Sequence, residues 1–244
     1  DRQRELLYEQ NEKLRRYDAS RSVFLTTVSH EVKNPLNAIN LYARDTLELM
    51  GEEAPDVPMI QSNQQVIEKM VVRIDRILTD LKDTVAIEQG RLALNLAPMR
   101  LSKLLKEVSG TYFGKDASDG NELVLDIDEN LLPISADYAR IVQVVTNLLS
   151  NAIQHTKAGR IRISLYKQGG EQIVVIADNG EGMKEELQEQ VFKGYISSDK
   201  EYWRHGIGLY VSHQIIEAHG GRIWIESKLG EGTTVTFTLP DEEK

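Results

Sequence analysis

Apolar residues in the first third of the chain recur at the spacing of an α-helix. They step by three and four residues over 28–50, and the same pattern returns over 59–89. Side chains at this spacing share one face of a helix. The segment between the two stretches is short and acidic and contains Gly51, Pro55 and Pro58. The pattern therefore predicts two long antiparallel helices joined by a turn.

Each predicted helix carries one narrow apolar seam, which two helices alone would bury poorly. Association with a second copy into a four-helix bundle would bury both seams. A coiled-coil spacer that packs on the downstream part of the same chain is the alternative. Upstream, residues 1–22 show a weaker heptad, with Asn11 and Asp18 where a tight coiled coil places apolar residues. We expect a coiled-coil segment there.

The periodicity changes after Gly90. Residues 92–96 alternate like a strand, and residues 101–108 are spaced like a short helix. Further strand-like runs lie at 123–127, 160–166, 172–177, 222–227 and 233–239, and helix-like runs at 137–155 and 208–218. Residues 183–205 lack clear apolar periodicity and predict a long loop. The mixture predicts an α+β domain with helices on one face of a mixed sheet.

Composition limits the classes of function. A chain of 244 residues, 41% of them hydrophobic, can form one large domain or two ordinary ones. A net charge of −9 argues against broad binding to nucleic acid or to an anionic membrane surface. The absence of cysteine excludes disulfides and thiolate chemistry and fits a reducing, cytoplasmic compartment. The start at Asp1 fits a piece of a longer protein, in which a membrane anchor could lie upstream.

The first candidate for chemistry is His30, within the first predicted helix. It falls outside the apolar seam, so a role as a satisfied core histidine is disfavoured. Asn34 follows four residues later and shares its face of the helix, while Glu31 lies beside it. Pro35 has no N–H to donate to the carbonyl of Glu31, so the helix should bend or loosen here. An incidental histidine on a surface helix is the alternative.

Asn147 and Asn151 are the second candidate. They lie four residues apart on the predicted helix 137–155, so their amides stack on one face. Their carbonyl oxygens would suit a hard cation such as Mg²⁺, which shares phosphate oxygens and keeps several waters. A plain polar helix face is the alternative.

Asp178 ends a buried strand and is followed by Gly180 and Gly182. A carboxylate fixed there can accept a hydrogen bond from an exocyclic amine, while glycines let the backbone pass close to a flat ring. A simple Asp-Asn-Gly turn is the alternative. Gly206 and Gly208 precede the next helix, where free backbone N–H groups can face a phosphate.

The order and spacing of these segments carry more information than any one of them. The segment His-Glu-Val-Lys-Asn-Pro from His30, the asparagine pair, Asp178-Asn-Gly-Glu-Gly, Phe192, Gly206-Ile-Gly and Gly230-Glu-Gly-Thr follow one another along the chain. They resemble the phospho-acceptor, N, first glycine, F, second glycine and final glycine boxes of the sensor histidine kinases of two-component systems. The resemblance covers roughly residues 20–240.

The resemblance implies a domain order. Residues 1–22 would be a signalling coiled coil, 23–90 a dimerisation and phosphotransfer hairpin, 91–97 a linker and 98–244 an ATP-binding α/β sandwich of the gyrase type. The partners it implies are a second copy of the chain and the receiver domain of a response regulator.

The resemblance also implies residue roles. His30 would accept the γ-phosphoryl group of ATP, Glu31 would take up the proton, and Asn34 would orient a water against the phosphorylated partner in a phosphatase reaction. Asn151 would be the Mg²⁺ ligand and Asp178 would bind the adenine amine. The other nucleotide-binding residues implied are Asn147, Gly180, Gly182, Phe192, Lys200, Gly206, Gly208 and Thr233.

Three departures from the family pattern concern the phosphates. Gln154 stands where the family often has lysine, Tyr210 stands at a frequent glycine position, and the segment around Lys200 matches only loosely. Two other functions stay open: a nucleotide-binding scaffold without catalysis, and an ATPase that forms no phosphohistidine. The scaffold is disfavoured by the intact chemical residues. The ATPase is disfavoured because the asparagine helix lacks a glutamate that could activate water.

Overall fold

A computed structural model describes residues 26, 28–51, 54–113, 120–188, 191–192 and 207–241. These residues form two compact units, a helical one that ends near Val85 and a mixed α/β one that begins at Ala86. Each is described separately below. No helix within the described ranges is long and apolar enough to span a membrane.

The helical unit is an antiparallel hairpin. Helix α1 covers residues 28–50 and continues through Pro35, whose side chain is buried. Helix α2 covers Val57–Glu88. The Asn63 amide donates to the Asp45 carboxylate at 2.7 Å, which ties α2 to α1 near the turn. The two predicted helices are therefore confirmed.

The α/β unit contains the rest of the regular structure. Its helices are α3 Leu101–Tyr112, α4 Tyr138–His155, α5 Glu185–Gln188 and α6 Ile207–Ala218, and its strands are β1 Ala97–Met99, β2 Glu122–Ile127, β3 Ile134–Ala136, β4 Arg160–Gln168, β5 Glu171–Asp178, β6 Ile223–Lys228 and β7 Gly232–Pro240. Five strands form one sheet in the order β2-β4-β5-β7-β6. Only the β2–β4 pair is parallel among these.

The core lies between this sheet and the helices. Alternate residues of the central strands point into it, and α3 and α4 contribute the residues that pack against them. The largest fully buried side chains in this unit are Phe237, Leu101, Leu104, Leu105, Ile134, Ile141, Leu149, Ile161, Ile163, Leu165, Ile176 and Ile215. The predicted α+β class, a helical hairpin followed by a mixed sheet with helices, is confirmed.

Two local predictions were wrong. Residues 92–96 are not a strand, because the backbone N–H of Asn95 donates to the Asp137 carboxylate at 2.8 Å instead of to a neighbouring strand. The strand comes directly afterwards, at Ala97–Met99, and pairs antiparallel with Ile134–Ala136. Within the predicted loop 183–205, Glu185–Gln188 form the short helix α5, and residues 189–190 and 193–205 lie outside the described residues.

Candidate functional site

His30 and Asn34 are both exposed on α1, one helical turn apart, while Glu31 between them is half-buried. An exposed imidazole can be reached by a donor or acceptor of a phosphoryl group. The Glu31 carboxylate beside it is less accessible to solvent, and charged side chains of α2 lie close enough to affect its pKa.

Burial raises the pKa of the Glu31 carboxyl above its ordinary value. The positive charge of Arg73 on α2 opposes this and lowers the pKa, Asp80 raises it, and Arg76 lowers it. A carboxylate with a raised pKa is a stronger proton acceptor once it is ionised. No sequence pattern reveals the two arginines, because only the register of the hairpin brings them close to Glu31.

Asp178 lies at the end of β5, in the α/β unit. Its Oδ1 accepts the backbone N–H of Gly180 at 2.9 Å. Burial is the largest effect and raises the pKa of the Asp178 carboxyl, while the backbone N–H groups of Gly180 and Thr233 and the charge of His155 lower it. The result is a partly buried carboxylate with a fixed direction, which suits recognition of an amine.

Three glycines bring the backbone around Asp178 into close contact. A Cβ on Gly180 would lie 2.1 Å from the carbonyl oxygen of His155, and one on Gly182 would lie 2.1 Å from that of Lys228. Gly232 has φ +113, and a Cβ at this position would lie 2.0 Å from the backbone carbonyl oxygen of Asp178. The space that these glycines leave is therefore filled by neighbouring main chain, and this shapes the turn that follows Asp178.

Two features beside Asp178 were not predicted. The hydroxyl of Thr156 is buried and lies close enough to the Asp178 carboxylate to act on it as a hydrogen-bond donor, which lowers the pKa of that carboxyl. His155 Nδ1 lies 2.5 Å from the Glu181 carboxylate, which joins the end of α4 to the same turn.

The two asparagines of α4 are in different environments. Asn147 is 4% exposed, and its amide donates to Ser212 Oγ on α6 at 2.9 Å. Asn151 is half-buried, so part of its side chain stays accessible to a ligand. That both amides serve one cation site stays a prediction.

The remaining predicted residues are located as follows. The rings of Phe192 and His213 pack with centroids 5.5 Å apart. Thr233 lies opposite Asp178 in the β5–β7 pair, and Gly208 opens α6. Lys200 and Gly206 lie outside the described residues.

Comparisons with known proteins agree with this arrangement. Residues 20–90 match the His Kinase A (phospho-acceptor) domain, and residues 136–243 match the histidine kinase-, DNA gyrase B- and HSP90-like ATPase family. The chain belongs to the sensor histidine kinases of two-component systems. Members of the second family use ATP, so the α/β unit is an ATP-binding domain.

Three relatives illustrate the likeness. The circadian input-output histidine kinase CikA of Synechococcus elongatus is 31% identical over 92% of this chain, which covers 30% of CikA. The adaptive-response sensory kinase SasA of Gloeothece citriformis is 31% identical over 88% of this chain, which covers 56% of SasA. The chain thus spans a third to about half of the length of these curated relatives.

The third relative is the histidine kinase ThkA. Its catalytic domain is 30% identical, with a TM-score of 0.53, over 60% of this chain and 96% of that domain. A second structure shows ThkA in complex with the response regulator protein TrrA. The matched chain is 25% identical to this chain, with a TM-score of 0.62, and the match covers 97% of this chain and 67% of the other.

Proposed function

We propose that the chain is an ATP-dependent protein-histidine kinase that phosphorylates its own His30 and passes the phosphoryl group to an aspartate of a response regulator. One observation carries this proposal. An exposed imidazole is followed directly by a half-buried carboxylate whose pKa is raised, in a chain that also has an ATP-binding domain.

In this reaction His30 is the nucleophile and Glu31 is the proton acceptor. A ring nitrogen of His30 attacks the γ-phosphorus, so that a P–N bond forms as the P–O bond to ADP breaks. The imidazole becomes cationic, and the proton on its other nitrogen passes to the Glu31 carboxylate. The positive charges of Arg73 and Arg76 favour the ionised form of that carboxylate, because both lower its pKa.

In the ATP-binding domain, Asp178 would accept the adenine amine and the Thr156 hydroxyl would bind beside it. This fits a buried hydroxyl that lies next to a carboxylate of fixed direction. Asn151 would hold Mg²⁺, whose charge would neutralise the phosphates. Gly208, at the start of α6, would lie near the phosphates, and Phe192 would support the nucleotide site through its packing on His213. Gly206 and Lys200, which lie outside the described residues, stay proposed nucleotide-binding residues.

The proposed partner is a receiver domain. ThkA has been solved with its response regulator TrrA, and this chain aligns over 97% of its length with that kinase. Asn34, exposed one turn from His30, would orient water against a phosphorylated receiver and give a phosphatase activity. A cytoplasmic location follows for this portion, since ATP is the donor.

We further propose that residues 23–90 form a dimerisation and phosphotransfer domain, linked by 91–97 to an ATP-binding domain at 98–244. Support comes from the apolar side chains exposed on the isolated hairpin, which include Leu41 at 65%, Leu47 at 70% and Val72 at 69%. A second copy would cover such residues in a four-helix bundle. Light scattering tests this, because a mass of 27.6 kDa in solution would contradict a dimer.

The activity is tested with γ-labelled ATP and Mg²⁺. The wild-type chain should acquire label that is stable to base and labile to acid, and should pass it to a receiver domain. Asn151→Ala should lose the label because nucleotide no longer binds productively. A wild-type chain that hydrolyses ATP without ever carrying label would contradict the proposal and favour a simple ATPase.

A further inference from the structure

The helices α4 and α6 are joined by a buried polar contact. The amide of Asn147 donates to Ser212 Oγ at 2.9 Å, and the two residues are only 4% and 1% exposed. Buried polar groups must be paired, and removing one partner leaves the other unsatisfied at a cost larger than the bond itself contributes. The contact therefore restrains both side chains.

Gly208 belongs to the same contact. A Cβ at this position would lie 2.2 Å from Asn147 Oδ1 and 2.4 Å from its Nδ2. The Asn147 amide thus occupies the space that any other residue at 208 would fill. It is held between the first turn of α6 and the hydroxyl of Ser212 one turn further along the same helix.

We propose that Ser212 is a positioning residue, which acts through Asn147 to fix the first turn of α6 against α4 and thereby sets the affinity for the triphosphate. The inference rests on the proposed nucleotide site. Backbone N–H groups at a helix start attract phosphate, and Asn151, the proposed Mg²⁺ ligand, lies one turn beyond Asn147 on α4. One buried contact thus fixes two elements of the phosphate-binding end.

The base-binding end depends on other contacts. The Asp178 carboxylate accepts the backbone N–H of Gly180, and Asp178 lies opposite Thr233 in the sheet. Neither of these contacts involves α6. Loss of the Ser212 hydroxyl should therefore weaken binding of the phosphates and leave recognition of the base unchanged. A purely structural role would weaken both together.

The test compares ATP and AMP on the full chain with Mg²⁺, by competition against a fluorescent adenine nucleotide. Ser212→Ala should bind ATP about five- to twentyfold more weakly, the loss expected for one buried hydrogen bond, with AMP affinity within about twofold. Ser109→Ala is the matched control. Ser109 is also 1% exposed, and its hydroxyl donates to the Lys106 carbonyl on α3 at 3.1 Å, so it should change neither affinity.

Ser212→Cys provides a second variant, because the thiol retains the shape but is a weaker acceptor. It should fall between wild type and Ser212→Ala. Equal losses for AMP and ATP, an equal effect of Ser109→Ala, or unchanged ATP affinity in a folded Ser212 variant would each overturn the inference.

These outcomes are distinct from a failure of the proposed function. A wild-type chain that binds no adenine nucleotide would overturn both proposals. If Ser212→Ala weakens ATP binding selectively but the wild-type chain never carries label on His30, the role of Ser212 is supported and only the proposed phosphotransfer is contradicted.

Discussion

The imidazole of His219 accepts a hydrogen bond from the backbone N–H of Asp137 at 3.0 Å. Its other nitrogen, Nδ1, lies 2.7 Å from the carbonyl oxygen of Ile215. The ring therefore joins the end of α6 to the residue that caps α4, since Asp137 Oδ1 also accepts the N–H of Arg140 at 3.2 Å.

Replacing this ring should destabilise the ATP-binding domain. His219→Ala leaves the Asp137 N–H without its partner, and we expect a loss of about 1–3 kcal/mol in the free energy of unfolding. Urea unfolding measures it. His30→Ala removes an exposed histidine and should stay within about 0.5 kcal/mol of wild type. Equal stability of the two variants would contradict a structural role for His219.

The affinity for nucleotide should depend on the ionisation of Asp178. Its pKa is raised from 3.8, chiefly by burial, and the ionised carboxylate accepts a hydrogen bond from the adenine amine more strongly than the protonated acid does. The affinity for ADP should therefore be highest at pH values above the raised pKa of Asp178 and should fall as the pH falls through that pKa. Titration calorimetry with ADP gives the profile.

Asp178→Asn separates this effect from titration of the nucleotide itself. The variant should bind ADP at least about tenfold more weakly at neutral pH, the loss of one charge-assisted hydrogen bond. Its ADP affinity should also lack the decrease at low pH that protonation of the Asp178 carboxyl causes in the wild type. Identical pH profiles in the two proteins would mean that another group titrates.

The pH profile of autophosphorylation should respond to Arg73. Arg73 lowers the pKa of Glu31, which burial raises. Arg73→Gln should therefore raise that pKa further. Since Glu31 must be ionised to take up the proton, the acid limb of the rate should move to higher pH. Arg44→Gln removes an exposed arginine from α1 that is absent from the charges acting on Glu31, and its acid limb should match wild type.

Gly180 should tolerate no side chain. A Cβ would lie 2.1 Å from the His155 carbonyl oxygen, so Gly180→Ala must displace the turn that carries Asp178. We expect a loss of about 1–3 kcal/mol in stability and weaker binding of ADP. Gly110 in α3 has no heavy atom within 4 Å of such a Cβ, so Gly110→Ala should stabilise by about 0.5–1 kcal/mol. Melting temperatures of the two variants should shift in opposite directions.

The sequence was sufficient for elements with many periodic residues. Helices α1 and α2 and strand β5 follow from their apolar pattern, because a long repeat leaves one conformation that buries it. The short strand Ile134–Ala136 has three residues, too few to show a period. The role of Asp137 depends on a partner 42 positions away, Asn95, which no local pattern reveals.

The candidate site divides in the same way. The residues that carry chemistry, such as His30 and Asp178, stand in short motifs that can be recognised from the sequence. Their supporting residues do not, because Ser212, Thr156 and Arg73 reach the site only through the packing of helices and the register of the hairpin. Asn147 had the expected position along α4 but turns toward α6, since Gly208 leaves room for its amide there.

Site mapping tests the central claim most directly. The chain is incubated with ATP and Mg²⁺, digested at alkaline pH and analysed by tandem mass spectrometry. We expect a phosphoryl group on His30, and none in His30→Gln although that variant still binds ADP. Phosphate on another residue, with His30 unmodified in wild type, would contradict it.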